Sequence, residues 1–192
     1  MIGNKVDYKH YLVADFKQYG YPYCFGSRIK VLLGFNEELR FIHAMRHLEY
    51  CQNVLKCKSL LGRARWICAK HRFRRLSIRL GYSIPINVCG PGLSLPHRGN
   101  IIINPKTKIG ANCRIHVGVN IGAHRNMAPV IGDNVYIGPG AILFGDIEIA
   151  NNVTIGANAT VCMSVLFENV AVAGTPAKII KKNVDAWNKN IK

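Results

Sequence analysis

The chain has 192 residues and a formal net charge of +16, from 26 Lys and Arg against 10 Asp and Glu. That length suits one domain with a small cap, and the charge points to an anionic partner. No run is long and apolar enough to cross a bilayer, and the seven cysteines (24, 51, 57, 68, 89, 113 and 162) contain no Cys-x-x-Cys pair, which argues against a zinc site or a disulfide framework.

Four helices are expected before residue 82. Residues 5–20 form a short helix with Tyr8, Leu12 and Phe16 on its buried face and Gly20 as its stop. A loop follows, and residues 28–33 form a second short helix. Residues 37–55 form a longer helix packed through Leu39, Ile42, Met45, Leu48 and Tyr50. His43 and His47 stand four apart on it. That spacing can bind metal, but no third ligand is evident, so no metal is expected. Residues 56–80 hold nine Lys and Arg (56, 58, 63, 65, 70, 72, 74, 75 and 79), and no acid occurs between Glu49 and Asp133. Leu60, Leu61, Ile67, Phe73, Leu76 and Leu80 make this an amphipathic helix with a wet basic face. Because its apolar face must bury somewhere, the helix reads first as one packed on the coil or on another subunit with a solvated basic face; a surface for anionic lipid or acidic glycan is the sharper reading. Nucleic acid is not expected, because no aromatic-interleaved reader element accompanies the charge.

From residue 83 the pattern changes. One apolar residue returns every six positions, at Cys89, Leu95, Ile101, Ile109, Ile115, Ile121, Ile131, Ile137, Leu143, Ile149, Ile155 and Val161. The step from Ile101 to Ile109 is two residues too long and that from Ile121 to Ile131 four too long. A period of six is neither helical nor that of an ordinary strand. It fits a prism of short parallel strands, three per coil, with the apolar side chain inward and Gly, Ala, Asn or Asp at the corners. About four coils are expected, with the two insertions bulging outward as loops. Cys89 and Cys113 are expected to pack as small residues inside the coils. A β-sandwich of short strands accounts less well for so strict a hexad.

This pattern resembles the hexapeptide-repeat acyltransferases, and within them the serine acetyltransferase group with its polysaccharide-modifying relatives. The likeness spans roughly residues 83–181 and includes Ala173-Gly174-Thr175-Pro176-Ala177-Lys178, which is similar to that family's Ala-Gly-x-Pro-Ala-(Lys/Arg) ending. The resemblance implies an all-β solenoid, a left-handed parallel β-helix, with a helical cap over residues 1–82 and a tail over 182–192. It also implies a homotrimer that uses acetyl-CoA.

Direct acetyl transfer to a hydroxyl needs a base and donors for an oxyanion. His97, in Leu95-Pro96-His97-Arg98-Gly99, occupies the place of the family's general base and is expected to be catalytic. Arg98, His124 and Arg125 are the candidate acceptor contacts, while His116 reads as a turn or surface residue. By resemblance, Gly138, Gly140, Ala141, Ala159 and Gly174 line the pantetheine path, with Lys178, Lys181 or Lys182 near the phosphates.

Three positions depart from the family's serine-binding pattern, where this chain has Pro96, Met127 and Ala128, and no acid stands at 83–87 to orient the imidazole. Those departures, the short cap and the basic segment favour a sugar hydroxyl of a surface polysaccharide or its precursor as acceptor. Serine O-acetylation is the alternative, and a non-catalytic glycan-binding or scaffolding coil is another. A zinc hydratase on the same coil is disfavoured by the His116–His124 spacing. The expected location is the cytoplasm, with contact to the inner membrane face allowed by the basic helix.

Overall fold

Four helices lead into a triangular coil. The structure, a computed structural model, describes residues 1–56 and 59–189; Cys57 and Lys58 of the basic stretch and residues 190–192 of the tail lie outside the described residues. Helix α1 (Lys5–Gln18) starts where the Asn4 side chain accepts from the backbone amides of Val6 and Asp7. Helix α2 (Phe25–Leu33) ends at Gly34, whose φ of 94° permits the left-handed cap. Helix α3 (Glu37–Tyr50) begins at Asn36, which caps Leu39, and runs into a π-helical turn over Cys51–Leu55. Helix α4 (Leu60–Leu80) starts at Ser59 and stops at Gly81.

The coil has about five turns and three faces, in the left-handed arrangement of hexapeptide transferases. The first face holds Tyr82–Ser83, Ile101–Ile103, Asn120–Gly122, Ile142–Phe144 and Thr160–Val161. The second holds Lys108–Ile109, Val130–Ile131 and Glu148–Ile149. The third holds Arg114–Ile115, Tyr136–Ile137, Thr154–Ile155, Val170–Ala173 and, antiparallel at its edge, Lys178–Lys182. All the hexad residues from Cys89 to Val161 are buried, so the period reads the interior directly. Strand Tyr82–Ser83 adds a turn ahead of the first hexad residue, which accounts for five turns where four were expected. The corner between the second and third faces is made by asparagines in left-handed conformation. Asn112, Asn134 and Asn152 stack there as a side-chain ladder, with amide contacts of 3.3 and 3.0 Å. Asn tolerates positive φ, and its side chain also supplies the bond between turns.

The register corrects the placement of one insertion. Ser94 stands opposite Arg114, and Ile103 opposite Ile121. From Ile103 to Ile109 is therefore a regular step, and the two extra residues lie between Leu95 and Ile103, at the His97-Arg98-Gly99 corner. Ile101 and Ile103 are both buried, and hexad counting alone cannot tell which belongs to the ladder.

Cap and coil are joined by a buried ionic cluster. Arg46 of α3 donates to Asp15 of α1 at 2.8 Å, to Glu49 at 3.2 Å, and to the carbonyls of Cys89 and Gly90 at 2.8 and 2.6 Å. Asp15 accepts in turn from the amides of Gly92 and Leu93, and Glu49 from that of Asn87. The Tyr19 hydroxyl closes the seam by accepting from the Leu95 amide and donating to its carbonyl. A buried charge is tolerated only when its bonds are filled, as these are. This seam fixes the backbone two residues before His97.

Helix α4 departs from its expected packing. Leu76 and Leu80 are buried and Phe73 is half-buried, but Leu60, Leu61 and Ile67 are exposed.

Candidate active site

His97 sits on the insertion at the corner between the third and first faces, with its side chain exposed. Its carbonyl accepts from the Tyr82 hydroxyl at 2.9 Å, and Tyr82 is in turn held edge-on to Phe41 of α3. The insertion is thus tied to the cap at its back while its imidazole faces out.

One turn along the coil, His116 projects from the same corner. Its ring centroid lies 6.0 Å from that of His97 and 4.9 Å from that of Tyr136. Arg114 Nε donates to His116 Nε2 at 3.3 Å, so the neutral imidazole carries its proton on Nδ1. Partial burial, then Arg114 and His97, push the His116 pKa below the usual imidazole value and favour its neutral form. Sequence reading placed His116 as a turn or surface residue. The missed signal was its position one coil-turn beyond His97 on the same edge.

Arg98 points back toward the cap, its Nε 3.9 Å from Glu38 Oε1 at the start of α3. Glu38 was not among the expected site residues. A guanidinium and a carboxylate, both partly exposed, therefore meet on the cap side of the insertion that carries the candidate base.

His124 and Arg125 lie elsewhere. Their hairpin is closed by paired bonds between the His124 and Met127 backbones, each 2.9 Å, and it stands on the corner between the first and second faces. Arg125 and Asn126 turn it with φ of 46° and 70°. A single chain does not bring this hairpin to His97. Met127 is half exposed on it, while Ala128 is buried beneath.

The small residues expected near a cofactor divide in two. Gly138, Gly140 and Gly174 follow His97 and His116 up the same corner. A Cβ at Gly138 would lie 2.8 Å from the Ile155 carbonyl oxygen and the Ala157 nitrogen, so the next turn itself demands glycine there. Four turns separate His97 from Gly174, a strip roughly 19 Å long at the spacing of neighbouring strands. Ala141 and Ala159, in contrast, are fully buried inside the prism. Their carbonyls accept from Asn120 and Ile142 and their amides turn inward to Gly138 and Gly156, so neither lines a groove. This corrects the expectation for both alanines. In the closing strand, Lys178 stands opposite Ala173, next to Gly174, and Lys181 lies further from the corner, opposite Ala171. Both are exposed.

Residues 128–162 match the family model for the bacterial transferase hexapeptide (six repeats). That stretch of the coil is similar to the bacterial hexapeptide transferases. A serine acetyltransferase of Staphylococcus aureus (strain Mu50 / ATCC 700699) is 38% identical over 98 residues, covering 49% of this chain and 46% of its own length. The chain therefore spans about half the length of that curated relative. The crystal structure of serine acetyltransferase from Brucella abortus strain S19 superposes with a TM-score of 0.72 at 25% identity, covering 94% of this chain and 71% of that one. That of Neisseria gonorrhoeae serine acetyltransferase, solved in complex with serine, gives 0.67 at 26% identity, covering 92% and 70%.

These relatives overturn the expected polysaccharide acceptor. They are serine acetyltransferases, and coverage of 94% means that the Brucella match includes the helical cap.

Proposed function

We propose that the chain is a serine O-acetyltransferase that uses acetyl-CoA directly. The observation that carries the reading is the exposed imidazole of His97 on an insertion whose next residue, Arg98, reaches Glu38 of the cap, at the foot of a glycine-bearing edge that ends near Lys178. Serine is a zwitterion. Arg98 suits its carboxylate and Glu38 its ammonium, which supplies the recognition that Pro96, Met127 and Ala128 do not. His97 takes the proton from the serine hydroxyl as its oxygen attacks the thioester carbonyl. Collapse of the tetrahedral intermediate breaks the carbon–sulfur bond, and the imidazolium returns the proton to the departing thiolate, giving O-acetylserine and CoA. His116, held by Arg114 and neutral, fixes the approach to His97 where the family's orienting carboxylate is missing. The Gly138–Gly140–Gly174 edge admits the pantetheine arm to the backbone, and Lys178 and Lys181 meet the phosphates. In a homotrimer the His124–Arg125 hairpin of a neighbouring copy completes the acceptor side. The chain acts in the cytoplasm, and its basic helix is open to an anionic membrane face.

The test is thiol release from acetyl-CoA with L-serine, for the parent and His97→Ala. Serine-dependent release that falls 100-fold or more in the variant, roughly the lower bound for a lost general base, supports the reading. Absence of serine-dependent release by the parent overturns it.

A further inference from the structure

We propose that the groove between α3 and α4 is a phosphate-binding site that seats the headgroup of an anionic phospholipid. The groove has a volume of about 830 Å³. Arg40 from α3 and Arg72, Arg75 and Arg79 from α4 converge on it, with Ile67 and Ile78 beside them. Its charge is not balanced within the chain. Glu37 pairs with Arg40 at 3.6 Å and Arg79 at 3.4 Å, and among the described residues no carboxylate pairs with Arg72 or Arg75. Arg40 and Arg72 line the same groove, and burial, and next the guanidinium of Arg40, lower the pKa of Arg72. Arg40 Nε is buried without a hydrogen-bond partner. Buried donors are normally satisfied, and an unfilled one among four guanidiniums calls for an acceptor anion.

Phosphate fits better than a carboxylate. Its several oxygens can take bonds from more than one guanidinium at once, and Arg forks match that geometry. The surroundings choose the source. Ile67 is 59% exposed, Ile78 73%, Leu60 84% and Leu61 67%, all on the helix that carries the arginines. Exposed aliphatic side chains interleaved with Arg, on a helix without acids, are the pattern of a segment lying in a bilayer interface. The membrane contact proposed above gives the source of the phosphate. The site itself stands apart from the transferase reading, because none of its lining residues is among those assigned to acetyl transfer.

The experiment uses the full chain and no acetyl transfer. Binding is measured to phosphatidylcholine vesicles with and without phosphatidylglycerol, and separately to inorganic pyrophosphate, for the parent, Arg72→Gln/Arg75→Gln and Ile67→Ser/Ile78→Ser. The expected result is binding that requires phosphatidylglycerol and weakens by about tenfold or more in the arginine variant, the loss of at least one charge-assisted bond. The isoleucine variant loses vesicle binding and keeps whatever pyrophosphate binding the parent has. Without phosphate, Arg72→Gln melts no lower than the parent, because it relieves a repulsion; a marked drop would make Arg72 a structural bond-holder and overturn the site. Tight pyrophosphate binding with no vesicle binding overturns the lipid source and leaves a soluble phosphate. Vesicle binding unchanged in the arginine variant, or no binding of either probe, overturns the proposal.

Discussion

His43 makes the stability of the cap depend on pH. It lies inside the helical layer with both ring nitrogens unpartnered, edge-on to Phe16 at 6.3 Å. Burial, then the charges of Arg72, His47 and Arg28, lower its pKa from 6.5 to about 4. In the unfolded chain the imidazole takes up its proton near the ordinary value, whereas in the folded chain it stays neutral until about pH 4. Below pH 6.5 the unfolded state therefore binds more protons, and stability falls as the pH falls from 6.5 to about 4. Linkage gives a loss of about 2 kcal/mol at pH 5, approaching about 3 kcal/mol below pH 4. His43→Leu keeps an apolar side chain of similar size and removes the titration. Urea denaturation of parent and variant from about pH 5 to pH 8 isolates the term, since other groups titrate in both. The variant should gain on the parent by about 2 kcal/mol between those limits. A difference that is constant with pH would show that His43 is not the buried neutral imidazole described.

Other changes test the site and the seam. His116→Gln should remove the His116 ionisation from the acid limb of kcat/KM, and an unchanged limb would remove His116 from the site. Arg46→Met leaves Asp15 and Glu49 buried without their cation and should cost about 3–5 kcal/mol in urea denaturation. A loss below about 1 kcal/mol, the range of an exposed pair, would contradict the buried cluster. Arg98→Gln should raise the KM for serine about tenfold or more, the value of one charge-assisted bond, and leave that for acetyl-CoA unchanged.

Much of the coil was legible because its period is its interior: an apolar residue every six positions can be buried in few other ways. Leu95, Ile115 and Ile137 fall where the hexad puts them, and all are fully buried. Register was less legible. Ile101 and Ile103 are both apolar and both inside, and only pairing across turns shows that the extra residues lie at His97. Arg46 was hidden for a different reason. A charged residue on a helix reads as solvated, and nothing local reveals that Asp15, from another helix, and two coil carbonyls fill its bonds. His116 is one residue past an inward isoleucine, a place that means only a corner until the turn before it is known to carry His97.

The acceptor was misjudged for the same physical reason. Motif comparison along the coil asks whether particular positions keep particular side chains, and at Pro96, Met127 and Ala128 they do not. A zwitterion imposes a weaker demand: one cation and one anion within reach of the hydroxyl's base, from whatever element can deliver them. Arg98 comes from the coil and Glu38 from the cap, sixty residues earlier in the chain. The seam built by Asp15, Tyr19, Arg46 and Glu49, with Phe41 packed on Tyr82, holds α3 where Glu38 can meet Arg98. On the proposed function, acceptor recognition would belong to the junction of cap and coil, and the buried ion cluster would hold that junction in place for a small amino acid.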